Sequence, residues 1–313
     1  MKIAVSVVTF SNNEELVRRL GEEFPEAELQ VNTLGRRYTS DELVDSLRNA
    51  DVAIIGLDKI DESVLSQCPN LRVISKHGIG TDKIDFEVCK KYNVEIRTQE
   101  GTNRRSVAEL TLSFMIGLMR GGYVSSLEMK KGVWNKYENN GRNLTGKTVG
   151  IIGVGNIGKD LVRLLKPFDC TILANDLRED SEQRFFYREH NLRESSKEEI
   201  YRGADIITIH TPLTDLTRNM INRKQFEMMK STAFLINSAR GEIINEEDLL
   251  WALKSKVIAG VGLDAYAIEP PTNLELLTLD NVYCTPHIGG TSQEASLALG
   301  ITAIKNLKEY FRK

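Results

Sequence analysis

The sequence predicts an α/β protein built from two doubly wound parallel-sheet domains. Short β-branched runs alternate with helix-period runs along the chain, and no hairpin signal joins neighbouring runs. The chain has 313 residues, about twice the usual length of one domain. The alternation also restarts once, after a long apolar helical segment.

In the first series KIAVSVV, AELQVNT, DVAIIGL, LRVIS and VEIRT read as strands. NEELVRRLGEEF, SDELVDSLRNA, DESVLSQC and DFEVCKKYN read as the helices between them. Ser40 is the expected N-cap of the second helix, with acidic residues in the first turn. NRRSVAELTLSFMIGLMRGG follows. It is apolar nearly all round from Val107 to Met119, which predicts burial on several sides, between domains or subunits. The second series has strands KTVGIIG, CTILAND, DIITIH, AFLIN, AGVGLD and NVYCTP. Its helices are NIGKDLVRLLKPF, SKEEIYRGA, NRKQFEMMK and NEEDLLWALKS. A last helix, about Ser292 to Arg312, has no strand after it and is expected to return to the first domain.

Apolar residues make up 41% and charged residues 27%, with net charge −3, so no surface for nucleic acid or anionic lipid is expected. No run is long and apolar enough to span a bilayer, and the N-terminal run lacks a cleavage pattern and reads as a strand. Cysteines 68, 89, 170 and 284 are scattered without CxxC or a histidine at ligand spacing. They read as reduced thiols of a cytoplasmic protein, and no metal is expected.

VGIIGVGNIG places Gly153, Gly155 and Gly158 as G-x-G-x-x-G between an apolar strand and an amphipathic helix. That context is the dinucleotide-binding, or Rossmann, fingerprint: a tight turn, a close backbone approach to pyrophosphate, and a helix N-terminus facing the anion. Asp176 ends the next strand, eighteen residues after Gly158. A carboxylate there accepts bonds from the ribose hydroxyls of NAD and repels the extra phosphate of NADP; Arg178 is the one nearby feature that favours NADP.

Three polar residues each follow the end of a strand in this second series. Arg240 follows AFLIN, Glu269 lies in the loop after AGVGLD, and His287 follows NVYCTP. Ligands of open α/β sheets bind at the carboxyl ends of strands, so the three converge where a nicotinamide would lie. Of the four histidines, His190 sits in the charged run FYREHNLRESS and reads as solvated.

The sequence resembles the D-isomer-specific 2-hydroxyacid dehydrogenases, and most of all their 3-phosphoglycerate dehydrogenase branch. The segments that carry this are KHGIGTDKID, TNRRSVAEL, KKGVWNK, LTGKTVGIIGVGNIG, HTPLTDLTRNMIN, INSARGEIINEEDLLWAL, GLDAYAIEP and TPHIGGTSQEA. The resemblance implies that Arg240 binds the substrate carboxylate and carbonyl, Glu269 orients the histidine, and His287 exchanges the proton. It implies that Asp264 holds the nicotinamide carboxamide. Asn156, Ile157, His210, Thr211, Pro212, Ser238, Ala239 and Gly289 join the NAD contacts by the same resemblance. Gly78, Ile79 and Gly80 match the loop that receives the substrate carboxylate, flanked by Lys76 and His77, with Arg105 a basic candidate for a second anionic group.

The implied first domain is discontinuous, residues 1–98 with 288–313, and the NAD domain is 99–287. The helix from Asn103 with GVWNK resembles a dimer contact, so a homodimer is expected, and no third domain is expected after residue 313. One departure bears on substrate. Where the phosphoglycerate branch carries a phosphate-binding arginine, this chain has Asp58, while Lys59, Lys76, Arg104, Arg105 and Lys136 are basic alternatives. Both 3-phosphoglycerate and a smaller acid such as glyoxylate or hydroxypyruvate therefore stay open. The Glu269 position argues against a formate dehydrogenase, and the complete Arg, Glu and His set argues against a purely NAD(H)-sensing binding protein.

Overall fold

The computed structural model describes residues 1–138 and 140–312. The chain divides into two compact units, Met1–Ser106 together with the segment from Gly290, and Val107–Gly289. The first division falls eight residues beyond the expected one, because the first turn of the helix Arg104–Arg120 stays with the first unit, and the second falls two residues beyond. Lys313 lies outside the described residues.

In the first unit β1 (Lys2–Val5), β2 (Glu28–Val31), β3 (Val52–Ile55), β4 (Val73–Lys76) and β5 (Glu95–Arg97) form one sheet in the order β2-β1-β3-β4-β5. Every pairing is parallel. The central strands β3 and β4 are buried at every position, as expected for a sheet covered on both faces. One face packs on Leu43, Leu47, Val64 and Leu65; the other packs on Phe10, Leu16, Leu20 and on Ala303, Ile304 and Leu307 of the last helix, Gln293–Phe311. Ser75 Oγ donates to Ala303 O at 2.9 Å, which fastens that helix to β4. The helix Ser40–Leu47 is capped by Thr39 and not by Ser40. Thr39 Oγ1 accepts from Glu42 N–H and Thr39 N–H donates to the Glu42 carboxylate, so the reciprocal Thr-x-x-Glu box sets the start one residue earlier.

In the second unit β6 (Thr148–Ile152), β7 (Thr171–Asn175), β8 (Arg193–Glu194), β9 (Ile206–Ile209), β10 (Phe234–Asn237), β11 (Gly260–Leu263) and β12 (Val282–Cys284) are all parallel. Their order is β12-β11-β10-β9-β6-β7-β8. The chain runs outward from β6 to β8 and returns to the other side of β6 as β9, so the switch point lies between β6 and β9. Every strand then presents its carboxyl end along the same edge.

β8 was not anticipated: two exposed residues on an edge strand carry no readable period. The helices Gly122–Lys130, Ser181–Glu189 and Leu274–Leu277 also lie in stretches where the sequence reading places none.

The helix Arg104–Arg120 packs on one side within the chain. It buries Val107, Ala108, Thr111, Phe114, Met115, Leu118 and Met119, but Glu109, Ser113, Ile116 and Arg120 form an exposed stripe. These four recur at helical spacing, so the helix is one-sided, and its buried Phe, Met and Leu side chains stabilise it by roughly 1.5–3 kcal/mol each. No described helix is long and apolar enough to cross a membrane.

Candidate active site

The edge begins at Gly153, directly after β6. Its φ is +96°, and a Cβ there would lie 2.7 Å from the carbonyl carbon and oxygen of His210. A Cβ on Gly158 would lie 2.3 Å from Gly153 O. Both positions therefore need glycine, and the turn stays tight against the switch point. Gly155 is the N-cap of the helix Asn156–Leu165, and no side chain caps it. The first-turn backbone, including half-exposed Ile157 and exposed Asn156, is left to a ligand.

His210 Nδ1 and Thr211 Oγ1 are buried with no partner beside this turn. Buried polar atoms are normally satisfied, so this pair fits a bound polar group. Burial lowers the His210 ring to about 4, which keeps it neutral at physiological pH; its Nε2 lies 3.0 Å from Thr208 Oγ1. Pro212 O accepts from Thr217 Oγ1 at 2.7 Å, which fixes the loop that follows.

Asp176 follows β7. Its Oδ2 accepts Val154 N–H at 2.6 Å and its Oδ1 accepts Arg178 N–H at 2.8 Å. Arg178 is tied down as well: its Nη2 donates to Val154 O at 2.9 Å and its Nε to Asp176 Oδ1 at 3.3 Å. The pair locks the second strand end to the glycine turn. An uncapped helix start, two orphaned buried polar atoms and a carboxylate at the second strand end together fit a dinucleotide.

Three further strand ends carry the polar trio. After β10, Asn237 is fully buried, and its amide donates to Arg240 O at 2.8 Å and accepts Ala239 N–H at 3.1 Å. Arg240 Nη1 donates to Ala239 O at 2.8 Å, so the guanidinium is held against its own loop. Ser238 Oγ lies 3.1 Å from Thr111 Oγ1. After β12, His287 Nδ1–H donates to Glu269 Oε1 at 2.7 Å, and both side chains are half-buried.

His287 sits at φ +55°, a left-handed conformation that strains a residue with a side chain by about 1–3 kcal/mol. Asp264, at the end of β11, holds it there. Its Oδ1 accepts Thr285 Oγ1–H at 2.6 Å and Ile288 N–H at 2.8 Å, and its Oδ2 accepts Gly289 N–H at 2.8 Å. Burial raises the Asp264 carboxyl above its usual range, and these three donors act against that rise. Among the described residues no group of histidine, cysteine and carboxylate side chains could hold a metal ion.

Residues 112–289, more than half of the chain, match the model of the D-isomer specific 2-hydroxyacid dehydrogenase NAD binding domain. The chain is 34% identical over 310 residues to the D-3-phosphoglycerate dehydrogenase of Methanocaldococcus jannaschii, covering 98% of itself and 57% of that protein. The chain belongs to the D-isomer specific 2-hydroxyacid dehydrogenase family. It is also 32% identical over 285 residues to the hydroxypyruvate reductase of Thermotoga maritima, covering 90% of each. The D-lactate dehydrogenase of Aquifex aeolicus, solved with NAD and lactic acid, superposes with a TM-score of 0.85 at 26% identity, covering 100% of this chain and 96% of that one. The chain thus spans just over half of the phosphoglycerate dehydrogenase and nearly all of the other two. NAD is the cofactor of its family, and its class is oxidoreductase.

The residues of the loop expected to receive the substrate carboxylate, and those flanking it, lie in the first unit. Gly78, Ile79 and Gly80 follow β4 and are half-buried, and Gly78 O accepts from Thr98 Oγ1 at 3.3 Å. The Lys76 ammonium donates to Gly56 O, and a Cβ on Gly78 would lie 3.9 Å from it. His77 is buried, its Nε2–H donates to Ser296 O at 3.2 Å, and burial lowers its ring to about 4. Arg105 is exposed. Asp58 is buried, and its Oδ2 accepts Ser6 Oγ–H at 2.6 Å and Gly56 N–H at 3.0 Å, so it holds loops together and does not project.

Asn237, Thr285 and Thr111 escaped the sequence reading. Asn237 had a signal, a polar residue closing the apolar strand FLIN; the other two had none.

Proposed function

We propose that the protein interconverts a D-2-hydroxy acid and its 2-oxo acid, with His287 as the proton-transfer group. The observation that carries this is the 2.7 Å His287–Glu269 pair, set at the same sheet edge as Arg240 and the uncapped glycine turn. NAD supplies the hydride acceptor, and NADH the hydride. In reduction, His287 Nε2 delivers its proton to the carbonyl oxygen of the substrate, because Nδ1 is committed to Glu269. The Glu269 carboxylate stabilises the imidazolium that waits for substrate. Arg240 holds the carboxylate and polarises the carbonyl through its planar fork. In oxidation His287 takes the hydroxyl proton. Asp176 favours ribose hydroxyls over a 2′-phosphate. The Gly78–Gly80 backbone receives the substrate carboxylate.

For the rest of the substrate our first reading is 3-phosphohydroxypyruvate, the oxo form of 3-phosphoglycerate. The Lys76 ammonium beside Gly78 and the exposed Arg104 and Arg105 supply positive charge in the first unit. The second reading, hydroxypyruvate or glyoxylate, is favoured by Asp58, which stands where a phosphate-binding arginine is expected. Competition between 3-phosphohydroxypyruvate and hydroxypyruvate at low ionic strength decides between them. We expect the higher kcat/KM for the phosphorylated acid, with the advantage shrinking as salt screens the charges. A higher kcat/KM for hydroxypyruvate selects the second reading.

We also propose a homodimer. Leu127, Met129, Val133, Trp134 and Tyr137 are all exposed on and just after the helix Gly122–Lys130, with Trp134 75% and Tyr137 86% accessible. Five large exposed side chains within eleven residues of sequence fit a surface that a second copy covers. Sedimentation at micromolar concentration should give twice the 35.3 kDa chain mass, and the chain mass alone would contradict the dimer.

A further inference from the structure

One residue meets all three loops of the polar trio, one through its side chain and two through its backbone, and the mechanism above does not use it. Tyr266 lies in the loop between β11 and Glu269 and is 6% exposed. Its hydroxyl donates to Thr285 O at 2.8 Å, two residues before His287, and lies 3.4 Å from Leu263 O. Thr285 O also accepts His287 N–H at 3.0 Å, so the phenol and the strained histidine share one carbonyl. The backbone N–H of Tyr266 points at Glu269 Oε1 at 3.4 Å, the oxygen that binds His287.

The third loop meets Tyr266 through its backbone. A Cβ on Gly241 would lie 1.9 Å from the Tyr266 carbonyl carbon and 2.2 Å from Ala267 N. Arg240 is therefore carried past Tyr266 in direct main-chain contact, which only glycine at 241 permits. Glu246 Oε1 accepts Ala267 N–H at 2.8 Å and braces the same spot from the helix Glu246–Lys254.

We propose that Tyr266 is the positioning residue that keeps the His287–Glu269 pair and the Arg240 loop in register with one another. It touches neither reacting atom. It acts through His287, by holding the carbonyl around which the residues 285–287 turn. The proposal rests on His287 being the proton-transfer group. A phenylalanine would pack the same ring in the same core but leave Thr285 O with one donor fewer, and the turn would be free to relax out of its left-handed state.

The test is Tyr266→Phe made alone and in a His287→Ala background, with kcat, KM for the 2-oxo acid, NADH affinity and thermal midpoint measured for each. In the otherwise native enzyme we expect kcat to fall about tenfold, the order set by one lost buried hydrogen bond, with NADH affinity unchanged. In the His287→Ala background we expect no further fall, because the group being positioned is gone. Restoring tyrosine restores kcat. An equal fall in both backgrounds means the ring acts on the fold at large and overturns the proposal, as does an unchanged kcat in the single variant. If His287→Ala itself keeps near-normal kcat, the failure belongs to the proton-transfer assignment instead. Should Tyr266→Phe not fold, Glu246→Ala frees the Ala267 N–H next to Tyr266 and loosens the same support without a clash. A fall in kcat that disappears in the His287→Ala background is then expected, and an unchanged kcat overturns the proposal.

Discussion

Replacing His287 with alanine lowers kcat by about a hundredfold to ten-thousandfold, the usual effect of losing a positioned general acid, while NADH still binds. The Nε2 that delivers the proton disappears, and no other described histidine is placed to stand in. His77 is buried against Ser296 O within the first unit, and the His210 ring is half-buried with its Nε2 3.0 Å from Thr208 Oγ1. Burial lowers both rings to about 4, so neither carries a proton to give in the physiological range. His190 pairs with Glu189 at 3.6 Å, far along the chain from any strand end of the trio. Steady-state rates together with an NADH fluorescence titration separate the two effects. A variant with near-native kcat would remove His287 from the mechanism.

Replacing Arg240 with lysine keeps the charge and removes the fork. We expect kcat/KM for the 2-oxo acid to fall by about a hundredfold to a thousandfold, comparable to losing one preorganised donor to the developing oxyanion. Affinity for NADH should hold, because the glycine turn and Asp176 sit at other strand ends. The Arg240 loop keeps its shape in this variant, since Asn237 grips the main chain of residues 239 and 240 and not the guanidinium. The same kinetic assay reads it. Full activity with lysine would mean that a point charge suffices and that no bidentate grip exists.

The placement of the glycine turn, Asp176 and the polar trio at strand ends was legible in the sequence because each is a local pattern, an apolar run closed by a glycine or a polar residue. The same logic predicted parallel sheets, since parallel strands need crossovers and the helices stood between the strands. What stayed hidden depends on contacts between distant segments. Tyr266 and Thr285 are nineteen residues apart and meet only because β11 and β12 are neighbours. Asp58 and Lys76 could be read only as charges. The structure turns the carboxylate toward Ser6 and Gly56 N–H, and the ammonium toward Gly56 O. The Thr39 cap was missed because Ser40 offers an equally good hydroxyl one residue on, and only the reciprocal bond to Glu42 decides.

The most direct measurement follows the hydride. NADH carrying deuterium at nicotinamide C4 is incubated with the enzyme and 3-phosphohydroxypyruvate, hydroxypyruvate or pyruvate, and the products are resolved by NMR and chiral chromatography. The account predicts deuterium at C2 of a D-configured 2-hydroxy acid, formed in step with NADH loss from at least one acid. An L-configured product, or no transfer to any 2-oxo acid from an enzyme that binds NADH, would contradict it.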